Sequence, residues 1–410
     1  MKILHTADWH LGKNLEGQSR LFEQELFLND FINIVEENKI DMVIIAGDIY
    51  DSFTPPARAE RLFYDTLKRI SKNGERLTIV ISGNHDSPER LVAAGPLATD
   101  HGIIMVGTPQ TVVEPGLYGK HRVKASGKGY FEIEINGERA VVLAIPYPSE
   151  KRLNEVLYSG MESDSEKLES YELRLKQLFE ELAENYRSDT INLLVSHLFV
   201  LGSEEAGSER GIQLGGSYLI DSKIFPSKAQ YIALGHIHKP QIVPGTEKKA
   251  RYAGSPIHYN RKEISYQKQM ILVDVRANEE ADIRPIPLPI YKPIEVWKCS
   301  SYEAALEKCT QNSERDCWVY LEIKTDSFIR EDQIKTLKSL KEDILSITPV
   351  MEAKEVEEQD VAYQELSFEE MFKAFYYDSL GVEVSDETLT TLLDIVSAEE
   401  DEDETYPTEN

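Results

Sequence analysis

Short apolar runs alternate with amphipathic segments through the first part of the chain. Three of the apolar runs are short enough and continuous enough to predict buried strands: Lys2–His5, Met42–Ala46 and Leu77–Ser82. Between them, apolar residues recur at near-helical spacing over residues 22–35 and again over residues 62–70. Because strands and helices alternate, we expect an α/β fold with a parallel sheet covered by helices.

A second group of apolar runs predicts further strands beside that sheet. Asn136 and Gly137 separate two of these runs, Phe131–Ile135 and Ala140–Ile145, which is a strong hairpin signal. A long acidic helix is expected over residues 166–186. Three more strands follow this helix: Ile191–Ser196, Tyr231–Leu234 and Met270–Val275. We therefore expect a sheet of mixed strands packed beside the parallel one.

The proline-rich segment Pro285–Pro293 divides the chain and predicts a linker. Beyond it, strands and helices are predicted in turn at Ile294–Lys298, Tyr302–Cys309, Trp318–Ile323, Glu331–Leu340 and Ile347–Ala353. They form a compact α+β module. The domains expected are therefore a large one over residues 1–284, a small α+β domain over 285–355, a helical segment over 356–398 and an acidic tail over 399–410.

The helical segment and the tail are distinguished by predicted amphipathic helices and by their acidic charge. Ser367 and Glu370 form a capping box before an aromatic-rich apolar face, and Ser385 begins a second amphipathic helix. These helices either complete the core or bind a partner, and their position beyond the linker favours a partner. Most of the net charge of −27 lies in residues 301–410, which carry 30 acidic and 9 basic side chains. Residues 1–300 carry 42 acidic and 36 basic side chains. The acidity therefore does not exclude a nucleic-acid substrate for the large domain.

Other features of the chain narrow its class. No apolar run approaches the roughly 20 residues that span a bilayer, and the N-terminus reaches the polar Asp8 without room for a signal peptide. The three cysteines have no CxxC spacing, so buried thiols are expected at Cys299, Cys309 and Cys317. We expect a cytoplasmic protein.

Five polar motifs each follow a predicted strand directly. They are Asp8-Trp9-His10, Gly47-Asp48, Gly83-Asn84-His85-Asp86, Ser196-His197 and Gly235-His236-Ile237-His238. Ligands of open α/β sheets bind outside the carboxyl ends of the strands, so all five motifs can converge on one site. Turn formation alone would explain Asp, Asn and Gly at strand ends, but it does not explain the histidines.

The side chains in these motifs indicate a metal site. Imidazole, carboxylate and amide donors without a thiolate suit Mn²⁺, Fe²⁺ or Zn²⁺ and disfavour a structural zinc site. Seven donors are too many for one ion and suit two, which together clamp a phosphate for in-line displacement. Such a pair needs a bridging carboxylate, and Asp48 is the best candidate because it stands alone on a tight turn after Gly47.

The ordered set DxH, GDxxD, GNHD, H and GHxH resembles the calcineurin-like metallophosphoesterases. The stretches HTADWHLGK, GDIYDSFTPP, SGNHDSPERL and LGHIHKPQ are similar to the SbcD family within it. The resemblance implies a two-sheet sandwich flanked by helices, with a small α+β capping domain and partner-binding helices after it. It also implies two metal positions that share Asp48. The first would use Asp8, His10, Asp48 and His238, and the second would use Asp48, Asn84, His197 and His236.

The same resemblance implies roles for residues that would not bind metal. His85 would stabilise the transition state and protonate the departing oxygen, a task that suits the ordinary pKa of histidine. Asp51, the last residue of GDxxD, would orient His85, although Asp86 could serve instead. Archaeal relatives commonly have a histidine at the position of Asp51.

The resemblance further implies a Mn²⁺-dependent DNA nuclease. It would act with the SbcC ATPase in a heterotetramer, as a 3′→5′ exonuclease on duplex ends and an endonuclease on hairpins. A homodimer is implied too, and the helix predicted over residues 88–97 is one candidate for its interface. Two alternatives stay open from the residues alone. One is a small-molecule phosphoesterase, such as a nucleotide or cyclic-nucleotide phosphodiesterase, and the other is a binding scaffold without activity.

Several residues near the motifs have two interpretations. The basic residues that either contact DNA phosphates or form solvated helix faces are Lys13, Arg20, Arg58, Arg61 and Arg90. The histidines outside the motifs, for which a surface or core position is expected, are His5, His101, His121 and His258. The glycine-rich loop over residues 202–216 either covers the site or is unstructured.

Overall fold

The computed structural model describes residues 1–153, 164–205, 207, 219–326 and 328–351, together with the single positions Phe372, Lys373, Tyr376, Val384, Thr388 and Leu389. The chain divides into two units, Met1–Val350 and Met351–Asn410. The acidic tail, most of the two C-terminal helices and most of the loop over residues 202–216 lie outside the described residues. Among the helices that are described, none is long and apolar enough to cross a membrane.

A six-stranded sheet contains the strands predicted near the N-terminus. Its order is β16 (Asp282–Pro287), β15 (Gln269–Asp274), β1 (Lys2–Thr6), β4 (Met42–Ala46), β5 (Leu77–Ile81) and β6 (Ile103–Val106). Strands β1, β4, β5 and β6 are parallel, as the strand–helix alternation predicts, while β15 is antiparallel to both of its neighbours, β1 and β16. A small ribbon of β2 (Asn14–Leu15) and β3 (Gln18–Ser19) follows the first motif.

An eight-stranded mixed sheet faces the first. Its order is β13 (Gln241–Ile242), β14 (Ala250–Tyr252), β12 (Tyr231–Gly235), β11 (Ile191–His197), β10 (Glu138–Ile145), β9 (Tyr130–Ile135), β8 (His121–Gly127) and β7 (Gly116–Tyr118). The predicted hairpin joins β9 to β10, where Asn136 and Gly137 have φ of 51° and 86°. Both residues thus adopt the left-handed conformation that tight hairpin turns require.

Helices cover the outer faces of the two sheets. Helices α1 (Leu21–Glu37) and α2 (Ala57–Ser71) pack on the first sheet, and α6 (Asp164–Ala183) packs on the second. Shorter helices are α3 (Pro88–Val92), α4 (Gly95–Asp100) and α5 (Glu150–Leu153). Apolar residues of both sheets meet in a core between them. The result is the helix-flanked two-sheet sandwich that the sequence resemblance implies.

A third sheet of three parallel strands forms the smaller module. It consists of β17 (Ile294–Cys299), β18 (Trp318–Lys324) and β19 (Ile344–Val350), joined through α7 (Tyr302–Gln311) and α8 (Glu331–Leu340). All three cysteines are free and buried within it, as expected. Strand β19 begins three residues before its predicted start. The alternation of strands and helices makes this an α/β unit in its topology.

The proline-rich segment is partly a strand. Pro285 and Pro287 lie in β16, which pairs only with β15 and therefore forms one edge of the first sheet. Proline is tolerated there because an edge strand has backbone N–H groups that need no partner within the sheet. The predicted linker is therefore shorter than expected, and the predicted boundary between residues 284 and 285 falls inside β16.

A buried ion pair connects the third sheet to the sandwich. The Arg20 guanidinium contacts both carboxylate oxygens of Glu23 and donates to the carbonyl of His258 at 2.7 Å. The indole Nε1 of Trp318 in β18 donates to Glu23 Oε2 at 3.0 Å. Arg20 is therefore neither a phosphate contact nor part of a solvated helix face, because its side chain is buried between the two modules.

Candidate metal centre

The five motifs meet at the carboxyl ends of strands from both sheets. Backbone hydrogen bonds join the first two loops, since Asp8 N donates to Gly47 O at 3.0 Å and His10 N donates to Asp48 O at 2.9 Å. The predicted ligands are buried except Asn84, which is half-buried. They are Asp8, His10, Asp48, Asn84, His197, His236 and His238. The structure thus brings all seven to one place.

The backbone is strained at four of these residues. Asp8, His10, Asp48 and His236 have φ of 54°, 44°, 50° and 102°, a region that non-glycine residues rarely adopt. Such conformations persist only where the surrounding structure enforces them, and they cluster at functional sites. The strain is thus placed at residues that the sequence predicts as ligands.

Three glycines give the loops room to approach each other. A Cβ on Gly47 would lie 2.4 Å from His197 Nδ1, and one on Gly83 would lie 2.1 Å from Asp48 Oδ1. A Cβ on Gly235 would lie 1.9 Å from the carbonyl oxygen of Ala46. Each distance is shorter than any van der Waals contact, so only glycine fits beside these side chains.

The first donor cluster contains Asp8, His10 and His238. One ligand atom of each lies within 4.8 Å of the others. The Nε2 atoms of His10 and His238 approach to 2.9 Å, so both imidazoles direct the same ring atom at one point. Asp8 also fixes the loop after β12, because its Oδ1 accepts a hydrogen bond from His236 N at 2.9 Å.

The second cluster contains Asp48, His197 and His236, with Asn84 beside them. The amide oxygen of Asn84 lies 3.0 Å from His197 Nε2 and 3.2 Å from His236 Nδ1. The other ring nitrogen of His197, Nδ1, lies 2.9 Å from the carbonyl oxygen of Ala46. A carbonyl only accepts, so this contact places the proton on Nδ1 and leaves Nε2 as the donor atom for a metal.

Asp48 lies between the two clusters. Its Oδ2 is 3.6 Å from His10 Nε2 and 3.3 Å from His197 Nε2. Its other oxygen, Oδ1, accepts a hydrogen bond from the backbone N–H of His85 at 2.9 Å. One carboxylate oxygen therefore faces donors of both clusters, which is the geometry of a bridging ligand.

A buried oxygen without a hydrogen-bond partner and the types of donor atoms are both consistent with the binding of two divalent cations. The buried Oδ2 of Asp8 has no hydrogen-bond partner among the described residues, which is costly for a carboxylate unless a cation is bound. The donors are imidazole nitrogens, carboxylates and an amide oxygen, a set typical of Mn²⁺, Fe²⁺ or Zn²⁺. Two three-residue clusters that meet at Asp48 provide for two ions.

The ionisable side chains of the two donor clusters are buried close together, and this shifts their pKa values. Burial raises the pKa of Asp8 to about 7, and burial lowers the pKa of both His10 and His236 to about 3. Burial opposes ionisation of Asp48 and His197 too, but they form a close pair. Their attraction holds the pKa of Asp48 well below its ordinary value and raises that of His197 to about 9. Cations would compensate the clustered carboxylates and favour neutral imidazoles.

His85 lies beside the first cluster with its ring oriented by the backbone. Its Nδ1 lies 2.8 Å from the carbonyl oxygen of Asp51, and its ring centre is 4.6 Å from that of His10. The Asp51 carboxylate lies 2.8 Å from Lys13 Nζ and 3.5 Å from His10 Nδ1, and one of its oxygens is within 4.8 Å of a His85 ring nitrogen. Asp51 thus contacts the His85 ring through its main-chain carbonyl. Asp86 instead accepts backbone hydrogen bonds from Ile49, Tyr50 and Gly83, which hold two ligand loops together.

Two charged residues outside the motifs also support the ligand loops. Arg152 donates to the carbonyls of Gly83 at 2.7 Å and of Asp86 at 2.8 Å, so it braces the loop that carries Asn84 and His85. Glu263 is completely buried, with its Oε1 3.7 Å from His238 Nδ1. Burial alone would raise the pKa of Glu263, but Lys268 and His238 hold it well below its usual value.

The remaining histidines and cations lie outside the donor clusters. His5 contacts Tyr231 between the sheets, His121 is buried, and the main contacts of His258 are with Arg20 and Tyr266. The other basic residues considered for DNA contact are all paired with acids: Lys13 with Asp51, Arg58 with Glu25, Arg61 with Asp65 and Arg90 with Glu60.

Comparison with known proteins places this centre in a family. The model of the calcineurin-like phosphoesterases matches residues 1–240, and that of the type 5 capsule protein repressor C-terminal domain matches residues 290–379. A Bacillus subtilis (strain 168) protein named as the SbcD subunit of the nuclease SbcCD is 37% identical over 98% of this chain and 100% of its own length. A protein of the same name from Rhodobacter capsulatus is 33% identical over 71% of this chain and 70% of its own length. Another, from Escherichia coli K12, is 28% identical over 91% of this chain and 92% of its own length. The chain therefore belongs to the calcineurin-like phosphoesterases and, within them, to the SbcD family.

Proposed function

We propose that this chain is the nuclease subunit of an SbcCD complex and hydrolyses phosphodiester bonds of DNA with two divalent metal ions. Its expected reactions are 3′→5′ exonuclease cleavage of duplex ends and endonuclease cleavage of hairpins or single strands, in DNA repair, recombination and replication. Two donor clusters that meet at Asp48 carry the proposal of two-metal phosphodiester hydrolysis. Kinship with proteins named as nuclease subunits over nearly the whole chain supports DNA as the substrate.

The proposed ligand sets follow the two clusters. The first ion would be held by Asp8, His10, Asp48 and His238, and the second would be held by Asp48, Asn84, His197 and His236. When bound, such a pair of ions supplies Lewis-acid stabilisation of phosphoryl oxygens and an activated water. The protein contributes the spacing of the donors, which the glycines and the strained loops hold in place.

His85 is the proposed general acid. With Nδ1 donating to the Asp51 carbonyl, the ring is fixed and Nε2 is the nitrogen that exchanges a proton with the substrate. Its imidazolium form stabilises charge on the phosphoryl group, and its proton passes to the departing sugar oxygen. Asp51 has the role of orienting His85 through the carbonyl, and its carboxylate orients the ligand His10.

The proposed metal, location and partner of the enzyme are those that the family resemblance implies. We propose Mn²⁺ as the native metal, a cytoplasmic location, and an SbcC ATPase as partner in a heterotetramer that contains two copies of this chain. The segment over residues 356–398 is the proposed SbcC-binding element. The domain division stays as predicted, with the first boundary moved to the end of β16.

A substrate comparison separates this proposal from the alternatives. The protein with Mn²⁺, alone and with SbcC and ATP, is given a labelled DNA hairpin, a blunt duplex and bis-para-nitrophenyl phosphate. Cleavage of both DNA substrates is expected. Cleavage of the small ester without any DNA cleavage would favour the small-molecule phosphoesterase, and absence of all cleavage with two metals bound would favour a binding scaffold.

The variant His85→Ala tests the assignment of the general acid. It should lower turnover by roughly 100- to 10,000-fold, the usual contribution of a positioned acid or base, while two metal ions remain bound. Metal content is measured by mass spectrometry of the native protein. Loss of an ion from the variant would show that His85 is a ligand instead.

A truncation tests the partner segment. A chain that ends at residue 355 should retain hydrolysis of the small phosphodiester but should no longer co-purify with SbcC. The full chain provides the control. Retained binding of SbcC by the truncated chain would contradict the assignment of residues 356–398.

A further inference from the structure

A buried ion pair lies directly behind His238. Glu263 and Lys268 are almost completely shielded from solvent, and Lys268 Nζ contacts Glu263 Oε2 at 2.5 Å. Two full charges removed from water are costly, and a buried pair of this kind is often less stabilising than apolar residues of similar size. Its presence beside a predicted ligand therefore calls for a role other than simple packing.

The pair fixes both ends of His238. At the backbone, the carbonyl of His238 accepts hydrogen bonds from Lys268 Nζ at 3.1 Å and from Ser255 N at 3.2 Å. At the ring, Nδ1 lies 3.7 Å from Glu263 Oε1, while Nε2 is directed at His10. The carboxylate therefore faces the ring nitrogen on the side opposite the donor cluster.

The corresponding histidine of the second cluster has a different nearest partner. There, His197 Nδ1 lies 2.9 Å from the neutral carbonyl oxygen of Ala46, while the nearest carboxylate, at 3.9 Å, is that of Asp8, itself a predicted ligand. A carboxylate behind a ligand histidine favours the tautomer with the proton on Nδ1 and increases the electron donation of Nε2. The nearest group behind the His197 ring is thus a neutral carbonyl, whereas a carboxylate that is not a predicted ligand, that of Glu263, faces the His238 ring.

We propose that Glu263 is a positioning residue whose carboxylate, acting through His238, strengthens metal binding at the position formed by Asp8, His10 and His238. This inference rests on the proposed two-metal function. Lys268 has a separate part, since it neutralises Glu263 and anchors the His238 carbonyl. The consequence is a metal centre in which the first position depends on Glu263 and the second does not.

Titration of the metal-free protein with Mn²⁺ tests the proposal. In Glu263→Gln, calorimetry should show one of two binding events weakened by roughly 10- to 100-fold, as is usual for loss of such a partner, with the other event unchanged. The absorption spectrum of the Co²⁺-loaded protein should change for one ion only. Glu263→Asp should restore part of the affinity because it retains the carboxylate.

The matched control is Glu23→Gln, which neutralises a buried glutamate paired with Arg20 away from the donor clusters. It should leave both binding events unchanged. Equal weakening of both events in Glu263→Gln, or the same weakening in Glu23→Gln, would show a general loosening of the fold and overturn the proposal.

A double variant covers the case in which Glu263→Gln fails to fold because the buried Lys268 loses its carboxylate partner. Glu263→Gln with Lys268→Met removes both charges and should fold, yet the first position should stay weakened. Wild-type affinity at both positions in this double variant would overturn the proposal. A wild-type protein that binds no Mn²⁺ at all would contradict the proposed function itself.

Discussion

Gly235, at the end of β12, leaves no space for a side chain beside Ala46 of β4, and a single methyl group there should disable the site. A Cβ at this position would lie 1.9 Å from the Ala46 carbonyl oxygen and 2.7 Å from His197 Nδ1. Ordinary contacts begin at 3.4 Å, so the ends of β12 and β4 must separate by about 1.5 Å in Gly235→Ala. Overpacking of this kind costs about 1–3 kcal/mol in the free energy of unfolding.

The displacement should lower the rate of hydrolysis more than it lowers the free energy of unfolding. It moves His236 and breaks the contact of His197 with Ala46, and a misplacement of about 1 Å in a reacting centre commonly costs about 100-fold in rate. We therefore expect Gly235→Ala to fold, to bind fewer than two ions and to lose at least that factor in hydrolysis of a phosphodiester.

The assay combines urea unfolding, metal content and steady-state hydrolysis on the same preparation. Gly95→Ala is the matched control, because a Cβ at Gly95 has no atom within 4 Å. It should leave metal content and turnover unchanged and should alter the free energy of unfolding by no more than about 1 kcal/mol. Gly235→Ala with two bound ions and normal turnover would refute the reasoning, since it would show that the sheets can separate without moving the ligands.

Two further predictions concern the rest of the fold. Burial lowers the pKa of His5 to about 3, so below pH 6.5 the unfolded chain binds a proton that folded His5 does not, and stability is lost as the pH falls towards 3. At pH 5 this loss is about 2 kcal/mol. The free energy of unfolding should therefore fall by about 2 kcal/mol less between pH 8 and pH 5 in His5→Gln than in the wild-type protein. Equal decreases in the two proteins would contradict this role of His5. Trp318→Phe removes the hydrogen bond to Glu23 and should lower the unfolding free energy by about 2 kcal/mol. It should also speed proteolysis between residues 288 and 293, whereas an unchanged cleavage rate would show that this contact does not hold the modules together.

The sandwich and the location of the site were predictable because both depend on local patterns. Wholly apolar runs such as Met42–Ala46 are typical of strands buried on both faces, as in a parallel sheet covered by helices, and the observed strand has those bounds. The ends of parallel strands in one sheet share an edge, so residues that follow them, such as Asp48 and Asn84, could be expected to meet. The contact of His197 with Asp48 depends instead on how the second sheet packs against the first. The proline-rich segment was harder, because Pro285 at a sheet edge has the same local sequence pattern as proline in a linker.

The supporting residues could not be predicted because their roles depend on distant contacts. Glu263 occurs in the charged run Arg261-Lys262-Glu263, a pattern typical of solvent-exposed residues, and only the tertiary structure places it behind His238. Arg152 likewise has no motif, yet it contacts a loop about 70 residues away in sequence. A main-chain contact such as that of Asp51 with His85 leaves no sequence signal, since every residue has a carbonyl.

Metal binding should be a major part of the stability of the folded protein. Without cations, the site keeps strained backbone at Asp8 and Asp48 and holds these two carboxylates close together without solvent. Ions that bind only the folded chain stabilise it by about 2.7 kcal/mol for each site at a hundredfold excess over Kd. Two sites thus give about 5 kcal/mol, and Mn²⁺ should raise the midpoint of thermal unfolding by several degrees relative to EDTA. Asp48→Asn should respond much less because both positions share that carboxylate. An identical midpoint of the wild-type protein in Mn²⁺ and EDTA would mean that the clusters do not bind metal in the folded chain.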